Sequence, residues 1–385
     1  MDFELNEDQL AYSEMAKAFA EKELTPHAAA WDEHQHFPLD VLKRAGDMGL
    51  CGLYTPEECG GLGLSRLDSS IVFEQLAIGC TATTAYLTIH NMVNWMISSF
   101  ATATTKTQWS EVLSSGQKLA SYCLTEPNAG SDAASLKTTA RKNGDKYLLN
   151  GAKVFISGAG ATDLLLVMAR TSDEGAKGIS AFAVPADSPG ISYGRKEQKM
   201  GWNCQPTRTI TFEDVEISAD TLLGNEGDGF KIAMQGLDGG RVNIATCSVG
   251  TAQAALNHAL RYLHERQQFG RELASFQALQ FKVAQMNTNL VAARQMVRLA
   301  ASKIDSKHPD RSTYCAMAKR FATDACYQIC DEALQIFGGN GYMKEYPLER
   351  YVRDSRVHRI LEGTNEIMNV IIARRILTEE TNQIV

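Results

Sequence analysis

Hydrophobic residues recur along this chain with two different periods, and the period changes twice. From residue 6 to about residue 116, apolar side chains recur three or four positions apart, as at Leu10, Met15 and Phe19. This spacing is typical of helices with one buried face. The first part of the chain is therefore predicted to be helical, with a loop at the glycines of residues 60–63.

Between about residues 118 and 225, the pattern changes to short apolar or alternating runs separated by turn residues. Such runs occupy residues 154–156, 164–169 and 179–184, and Asn-Gly pairs occur at 143–144 and 150–151. Short runs of this kind are typical of strands, and Asn-Gly pairs are typical of tight hairpin turns. The segment is predicted to form a small antiparallel β domain.

After Gly229 the helical period returns, with apolar stripes over residues 252–263 and 283–304. A break at 308–309 separates a further helix, which the glycine-rich loop at 338–341 ends. The order of helices, strands and helices predicts a mostly α protein with a β domain in its middle. The predicted domains are an N-terminal helical domain (1–117), a middle β domain (118–225) and a C-terminal helical bundle domain (226–385).

Composition is that of an ordinary soluble globular protein. The 385 residues are 44% hydrophobic, and 38 basic against 45 acidic side chains give a formal charge of −7. No global field therefore draws the chain to nucleic acid or anionic lipid, and no apolar run approaches the ~18 residues of a membrane span. We expect neither a nucleic-acid nor a membrane partner. The acidic first ten residues predict no targeting peptide, which indicates a bacterial cytoplasm or, for a mature form, a mitochondrial matrix.

Sequence signals for metal sites and for several common enzyme classes are absent. The nine cysteines lack the spacing of metal ligands or of a disulfide framework, so we expect reduced thiols and no metal. No dinucleotide-binding G-x-G-x-x-G, P-loop, H-E-x-x-H or G-x-S-x-G motif occurs. Rossmann, P-loop, zinc-protease and serine-hydrolase interpretations are therefore not supported.

A loop with the sequence LTEPNAGSD, residues 124–132, directly follows a strand-like segment. Its hydroxyl groups at Thr125 and Ser131 and its backbone N–H groups could hold a polar ring or a phosphate. An ordinary turn with a helix cap explains the same residues equally well. The loop alone does not decide between these two interpretations.

Two further clusters lie at predicted helix ends. The segment RQQFG, residues 266–270, combines a guanidinium suited to a pyrophosphate with an aromatic ring suited to a cofactor ring. The segment QIFGGNGY, residues 335–342, lets a phosphate approach the backbone because glycine has no Cβ. A charge at a helix C-terminus and a plain glycine cap are the alternatives.

The segment RDSRVHRILEGTN, residues 353–365, places Glu362 directly after an apolar pair. A carboxylate in such surroundings would be desolvated, and its basicity would be raised. A solvated surface glutamate paired with Arg359 is the alternative on this segment alone.

Taken together and in this order, these segments resemble the acyl-CoA dehydrogenase family over essentially the whole chain. The resemblance is closest to members that oxidise isobutyryl-CoA. It implies an acyl-CoA dehydrogenase-like fold, with an N-terminal helical domain, a middle β-barrel domain and a C-terminal four-helix bundle. The motifs that carry it are TTAYLTIHNM (83–92), ASYCLTEPNAGSDAASL (120–136), VFISGAG (154–160), GWNCQPTR (201–208), GGRVNIA (239–245) and YVRDSRVHRILEGTNEIM (351–368).

The resemblance also implies FAD shared between subunits of a homotetramer built as a dimer of dimers. It places a first group around the flavin: Tyr122, Leu124, Thr125, Gly130, Ser131, Phe155, Ile156, Ser157, Thr364 and Asn365. It places a second group at the adenosine and pyrophosphate end: Arg266, Gln267, Phe269 and Gln277, with Gln335, Ile336, Gly338 and Gly339 from a neighbouring subunit. For the CoA moiety of the substrate, it implies Ser131, Asp238 and Arg241.

The implied reaction is α,β-dehydrogenation of a short branched-chain acyl-CoA, isobutyryl-CoA to methacrylyl-CoA in valine catabolism, with electrons passed to an electron-transferring flavoprotein. Glu362 would take the α-proton while the flavin accepts the β-hydride. Its backbone N–H would hold the enolate-like oxygen. Some family members carry the base at the position of Gly240, and glycine cannot replace Glu362 in that role.

Other functions remain open from the sequence. A short-chain or 2-methylbutyryl-CoA dehydrogenase is an alternative, because pocket depth depends on the packing of Tyr86, Leu87, Ile89, Asn91 and Met92. One methylene contributes only ~1 to 3 kcal/mol of discrimination. An oxidase or monooxygenase on the same fold is a second alternative, and a non-catalytic helical scaffold protein is a third.

Overall fold

The computed structural model describes residues 4–378, and its first region is helical. The first helix begins where the sequence indicates: the Asn6 side chain accepts the Gln9 N–H at 2.9 Å and the Gln9 side chain accepts the Asn6 N–H at 3.2 Å. This reciprocal pair is a capping box. The helices of this region are α1 (Glu7–Phe19), α2 (Ala28–His34), α3 (Leu39–Asp47), α4 (Arg66–Gly79), α5 (Thr81–Phe100) and α6 (Ala103–Ser114).

The middle region is a sheet in the order β6-β7-β3-β2-β4-β5-β8, with β1 paired to β4. Most pairs are antiparallel, as predicted, but β1 and β2 both pair with β4 in parallel, because long connections return the chain to the same edge. The strands are β1 (Ala120–Cys123), β2 (Thr139–Asn143), β3 (Lys146–Ser157), β4 (Leu164–Arg170), β5 (Ile179–Pro185), β6 (Ile191–Tyr193), β7 (Thr207–Ser218) and β8 (Leu222–Leu223).

Only one of the two predicted Asn-Gly turns is present. The chain turns between β2 and β3 beside Gly144, whereas Asn150 and Gly151 lie within β3, at a register shift against β7. A Cβ on Gly151 would lie 2.7 Å from the Thr138 Cα. Glycine is therefore required there for close approach of two backbone segments, which explains why the prediction of a hairpin at 150–151 is wrong.

The last region is again helical, and its elements confirm the long helices and the end of α9 before the glycine loop. The short strands β9 and β10 form a hairpin between α7 and α8. Within residues 4–378, no helix is both long and apolar enough to cross a membrane. The elements are α7 (Gly229–Glu265), β9 (Gln267–Gln268), β10 (Arg271–Glu272), α8 (Gln277–Asp305), α9 (Arg311–Phe337), α10 (Leu348–Arg356) and α11 (Asn365–Ile376).

Helix α7 contacts all three regions, and glycines allow the close approach. A Cβ on Gly229 would lie 2.5 Å from Ser180 Cα in β5, and one on Gly236 would lie 2.8 Å from Met96 Sδ in α5. The predicted domain bounds after residues 117 and 225 fall in the connections from α6 to β1 and from β8 to α7. A site on α7 can therefore be built from helices and sheet together.

Candidate active site

The carboxylate of Glu362 lies against helix α7. Glu362 belongs to the turn between α10 and α11 and has a φ of 58°, in the left-handed region that non-glycine residues rarely adopt. Thr364 then caps α11 by accepting the Ile367 N–H at 3.3 Å. A Cβ on Gly240 would lie 2.8 Å from the Glu362 carboxylate carbon. The carboxylate therefore occupies the space that glycine leaves on α7.

The surroundings of Glu362 make its carboxyl group a weaker acid than usual. Burial raises the pKa of Glu362 to about 7, against the opposing effect of the cations Arg241 and Lys319. The residue keeps some exposed surface, but its Oε2 is shielded and has no hydrogen-bond partner within residues 4–378. A carboxylate that titrates near neutrality and has a free oxygen is suited to accept a proton.

Two residues that the resemblance assigns to CoA lie one helical turn apart on α7, beside Glu362. Arg241 Nη1 donates to Asp238 Oδ1 at 2.8 Å, and Arg241 Nε donates to the Glu362 carbonyl at 3.4 Å. The Ser312 hydroxyl of α9 donates to the other Asp238 oxygen. Both members of the ion pair are buried. Ser131, the third predicted residue, is exposed on the loop after β1.

The loop after β1 is held by a buried ion pair that sequence reasoning missed. Lys153 Nζ donates to Glu126 Oε1 at 2.7 Å and to the Leu124 carbonyl at 3.1 Å. The Glu126 carboxylate also accepts the N–H groups of Lys137 and Thr138 at 2.6 Å and 2.9 Å. The loop conformation is therefore fixed from inside the sheet. The signal in the sequence is a lysine between the apolar residues of β3.

The second segment predicted to contact the flavin lies directly beside this loop. The Val154 N–H donates to the Thr125 carbonyl at 2.9 Å, and the Ser121 hydroxyl donates to the Ser157 carbonyl at 2.7 Å. Phe155 has a φ of 58° and lies at a register shift between β3 and β7. Such irregularities redirect side chains. The Phe155 ring is 70% exposed, while the neighbouring Ile156 is buried.

The site between the sheet and α7 has groups without partners inside the described chain. The hydroxyl of Tyr122 and the Oε2 of Glu362 are buried without hydrogen bonds, although buried polar groups normally have them. A Cβ on Gly130 would meet no atom within 4 Å. Together with the exposed ring of Phe155, these groups fit a large planar ligand with polar edges, such as a flavin.

The other predicted FAD residues lie at or near the C-terminal end of α7. Asn340 Nδ2 donates to the Tyr262 hydroxyl at 3.0 Å, and the Tyr262 ring stacks on Phe337 at 4.0 Å. These contacts place Phe337 and Asn340 beside Tyr262, one helical turn before Arg266. At 1.5 Å per residue, about 37 Å of helix separates Arg241 from Arg266. We call the Glu362–Arg241 region the base end and this second region the open end.

The open end is exposed, with few contacts that explain its residues. The Phe269 side chain is 93% exposed and its φ is 53°. A Cβ on Gly338 or Gly339 would meet no atom within 4 Å. Nothing inside the described chain therefore requires glycine at 339. Arg266, Gln267, Gln277 and Gln335 are likewise exposed, whereas Ile336 is buried.

Sequence reasoning also missed Lys319, which lies below the turn that carries Glu362. It is fully buried on α9, and its Nζ donates to the Gly363 carbonyl and to Asn365 Oδ1, both at 2.8 Å. Its only signal is a lysine on an alanine-rich helix face. Asn365, predicted to contact FAD, is thus buried among protein partners.

The N-terminal helical region adds a further cation near this site. The Arg66 guanidinium lies 3.5 Å from the centroid of the Tyr54 ring, and the Tyr54 hydroxyl accepts from Asn243 Nδ2 at 3.2 Å. A Cβ on Gly239 would lie 2.6 Å from Arg66 Nη1. Gly239 and Gly240 thus make room for Arg66 and Glu362, respectively.

The residues expected to shape the acyl pocket lie on α5 and are mostly buried. Asn91 is fully occupied by backbone partners: it accepts the Leu53 N–H at 2.8 Å and donates to the Leu50 and Leu87 carbonyls at 2.9 Å. The Tyr86 hydroxyl donates to the Ala120 carbonyl at 3.2 Å. These two polar side chains therefore serve the packing of α5.

Family models for the acyl-CoA dehydrogenase N-terminal, middle and C-terminal domains match residues 6–117, 121–215 and 227–377. The chain is 50% identical to mitochondrial isobutyryl-CoA dehydrogenase of Bos taurus over 97% of this chain and 90% of the relative. Butyryl-CoA dehydrogenase from Megasphaera elsdenii superposes with a TM-score of 0.95 at 38% identity, covering 98% of this chain and 100% of the other. A structure described as PigA with FAD and proline has a TM-score of 0.95 at 29% identity, covering 98% and 99%. The chain therefore belongs to the FAD-dependent acyl-CoA dehydrogenase family.

Proposed function

We propose that this acyl-CoA dehydrogenase acts on short branched-chain acyl-CoA, with isobutyryl-CoA as its preferred substrate and methacrylyl-CoA as the product. The 50% identity with an isobutyryl-CoA dehydrogenase supports this substrate, and it would place the enzyme in valine catabolism. The observation that carries the proposed chemistry is the Glu362 carboxylate in the space left by Gly240, with its Oε2 shielded and without a hydrogen-bond partner among residues 4–378.

In this proposal Glu362 removes the proton from the α-carbon of the thioester. Its pKa of about 7 leaves a useful fraction of carboxylate at neutral pH, and that carboxylate is more basic than a solvated one. Negative charge then develops on the thioester oxygen. The Glu362 N–H lies in a turn and donates to no backbone carbonyl within residues 4–378. We therefore assign this free donor to the thioester oxygen. When bound, FAD supplies the hydride acceptor that protein side chains lack.

For the cofactor, we propose two separate groups of residues on each chain. The group near the base end holds the flavin: Tyr122, Leu124, Thr125, Gly130, Ser131, Phe155, Ile156, Ser157, Thr364 and Asn365. The open end holds the adenosine and pyrophosphate of an FAD whose flavin lies in a second copy, because about 37 Å of α7 separates the two ends. The resemblance implies Gln335, Ile336, Gly338 and Gly339 from a neighbouring subunit, but Phe337 stacks on Tyr262 of the same chain, one helical turn before Arg266. We therefore propose instead that these four residues and Arg266, Gln267, Phe269 and Gln277 of one subunit hold the same FAD.

This division requires an oligomer, for which we propose a homotetramer built as a dimer of dimers. Size-exclusion chromatography with light scattering tests that assembly. We further propose that electrons leave through an electron-transferring flavoprotein. Stoichiometric hydrogen peroxide from acyl-CoA in air would instead identify an oxidase.

The test of the proposed function is Glu362→Gln, which keeps the shape of the side chain but removes the base. We expect purified protein that retains yellow FAD and binds isobutyryl-CoA but loses ~10²- to 10⁴-fold in kcat. The control is Glu366→Gln, an exposed glutamate four residues further along, which should retain wild-type turnover. Near-normal turnover by Glu362→Gln would refute the assignment of the base.

The substrate is tested separately with a panel of isobutyryl-, 2-methylbutyryl- and butyryl-CoA. We expect the highest kcat/KM for isobutyryl-CoA. A higher value for either of the other two would overturn the substrate while leaving the role of Glu362 intact.

A further inference from the structure

The turn that carries Glu362 contains two consecutive left-handed residues. The φ values of Glu362 and Gly363 are 58° and 86°. Glycine adopts this conformation without strain, but glutamate does so only when the surrounding structure holds it there. The contact that could hold this turn is therefore of functional interest.

Lys319 makes that contact from helix α9. Its Nζ donates to the Gly363 carbonyl at 2.8 Å and to Asn365 Oδ1 at 2.8 Å, so it links the turn to the start of α11. The Asn365 amide in turn donates to Asp324 Oδ1 at 3.0 Å and to Thr323 Oγ1 at 3.0 Å. The turn and the start of α11 are thus anchored to α9 at Lys319, Thr323 and Asp324.

Burial of a lysine ammonium group costs more free energy than burial of a neutral donor that could make the same hydrogen bonds. Its ammonium group donates to a carbonyl and an amide oxygen but to no carboxylate within the described residues. Burial lowers the pKa of Lys319 to about 8, and the negative charge of Glu362 acts in the opposite direction. A buried cation without an ion-pair partner costs free energy, so buried charges are normally paired or neutralised. The charges around Lys319 therefore bear on what its ammonium group does.

The use suggested by the geometry is electrostatic. Glu362 is influenced by Arg241 on α7 and Lys319 on α9, and Asp238 pairs with Arg241. Burial raises the pKa of Tyr122 on β1 and of Tyr54 after α3, and the Glu362 charge contributes to both increases. Lys319 also interacts with Arg241, which lowers its pKa, and with Asp324 and Glu366, which raise it. Because Arg241 is paired with Asp238 and Lys319 has no ion-pair partner among residues 4–378, Lys319 supplies the less compensated cation.

We propose that Lys319 is a positioning residue for the base: it fixes the left-handed turn of Glu362 and stabilises the carboxylate form of that side chain. This inference rests on the proposed role of Glu362 in proton removal. Lys319 itself touches the turn and is assigned no contact with substrate.

The experiment compares Lys319→Met, which removes charge and donors, with Lys319→Gln, which keeps one donor, and Lys319→Arg, which keeps the charge. For Lys319→Met holoenzyme with isobutyryl-CoA, we expect kcat at pH 7 to fall at least tenfold and KM to change less than threefold. The midpoint of the rising limb of kcat against pH should increase by about one unit. Lys319→Gln should show the same shift, and Lys319→Arg should bring the midpoint back toward wild type.

The matched control is Arg320→Met, which removes one positive charge from the exposed neighbouring position on the same helix. It should leave the midpoint and the flavin content, taken as the ratio of absorbance at 450 and 280 nm, at wild-type values. A midpoint shift in this control equal to that of Lys319→Met would overturn the specific role of Lys319.

A second readout follows the ionisation of Glu362 without catalysis. The folded-state pKa of Glu362 lies above its ordinary value, so this group stabilises the folded state less as pH rises from the ordinary pKa toward about 7. The difference in Tm between Glu362→Gln and wild-type holoenzyme should therefore grow over that range. In the Lys319→Met background, this Tm difference should keep growing until a pH about one unit higher than in the wild-type background.

An unchanged kcat midpoint and an unchanged Tm difference in both Lys319→Met and Lys319→Gln would overturn the inference. So would an equal loss of kcat at every pH accompanied by loss of flavin, because that pattern belongs to a structural residue. If Lys319→Met does not fold, Lys319→Gln alone decides by the same midpoint. Failure of the underlying function is distinguishable, because Glu362→Gln would then be active whatever the lysine variants show.

Discussion

The base end and the open end, both located along helix α7, differ in what surrounds their glycines. At the base end, the chain encloses its own charged groups, and a Cβ on Gly239 would lie 2.6 Å from Arg66 while one on Gly240 would lie 2.8 Å from the carboxylate carbon of Glu362. At the open end, Gly338 has a φ of 59°, which favours glycine, but a Cβ on Gly339 would meet no atom within 4 Å. Close packing thus explains glycine at the base end, whereas the described residues do not explain Gly339 at the open end.

The comparison shows how to distinguish a site that one chain completes from a site that it only contributes to. At the base end, Asp238 and Arg241 are buried and paired. At the open end, Arg266 is exposed and the ring of Phe269 is 93% exposed. An exposed aromatic residue near a glycine that no described neighbour requires indicates a surface that contacts another molecule. Substitutions at the two ends should therefore fail in different ways.

The largest effect is expected from Lys153→Met, which breaks the buried ion pair behind the loop after β1. Removal of one partner leaves Glu126 buried without its counter-ion, which typically costs about 3 to 5 kcal/mol. Urea unfolding of the holoenzyme should show this loss together with reduced flavin content. Lys142→Met, an exposed lysine of the same domain, is the control and should lose less than about 0.5 kcal/mol. A loss below 1 kcal/mol in Lys153→Met would contradict the importance of this pair.

An intermediate effect is expected from Gly240→Ala at the base end. The added Cβ would lie 2.8 Å from the Glu362 carboxylate carbon, so the carboxylate must move. Displacement of a reacting group by about 1 Å can reduce turnover roughly 10²-fold. We expect that loss in kcat with unchanged flavin content, measured with isobutyryl-CoA. Wild-type kcat would show that the carboxylate works from another position.

The smallest effect is expected from Arg266→Ala at the open end. Loss of one charge-assisted hydrogen bond to a phosphate weakens FAD binding by roughly tenfold or more. The protein should purify partly free of FAD, while kcat per bound flavin stays within twofold of wild type. The control is Arg271→Ala on the same loop, because that guanidinium lies 4.0 Å from the centroid of the Phe276 ring and is not assigned to FAD. This variant should keep its full flavin content. Full flavin content in Arg266→Ala would remove the open end from the cofactor site.

The sequence sufficed for features that depend on local pattern. The helix–strand–helix order follows from periodicity, and the end of α9 follows from the glycines after Phe337. The apolar pair before Glu362 left a solvated surface glutamate open, and the assignment of the base came from the family resemblance. The Asn-Gly pair at 150–151 misled the prediction, because the need for glycine there comes from Thr138, which is distant in the sequence.

Features that depend on tertiary contacts could not be predicted. Lys153 and Lys319 look like ordinary polar residues in the sequence, and only the packing shows that both are fully buried. Their partners, Glu126 and the turn after Glu362, lie 27 and 44 or more residues away. The left-handed conformation of Glu362 is equally invisible, because a non-glycine residue adopts it only under constraint from its surroundings.

The length of α7 has a genetic consequence. If each subunit lends its open end to the flavin of a neighbour, then one defective copy can supply what another lacks. Co-expression of Glu362→Gln and Arg266→Ala subunits would create hybrid assemblies in which some sites combine an intact base from one polypeptide with an intact guanidinium from the other. Two alleles that are each impaired would then partly rescue one another, which is the pattern known as interallelic complementation.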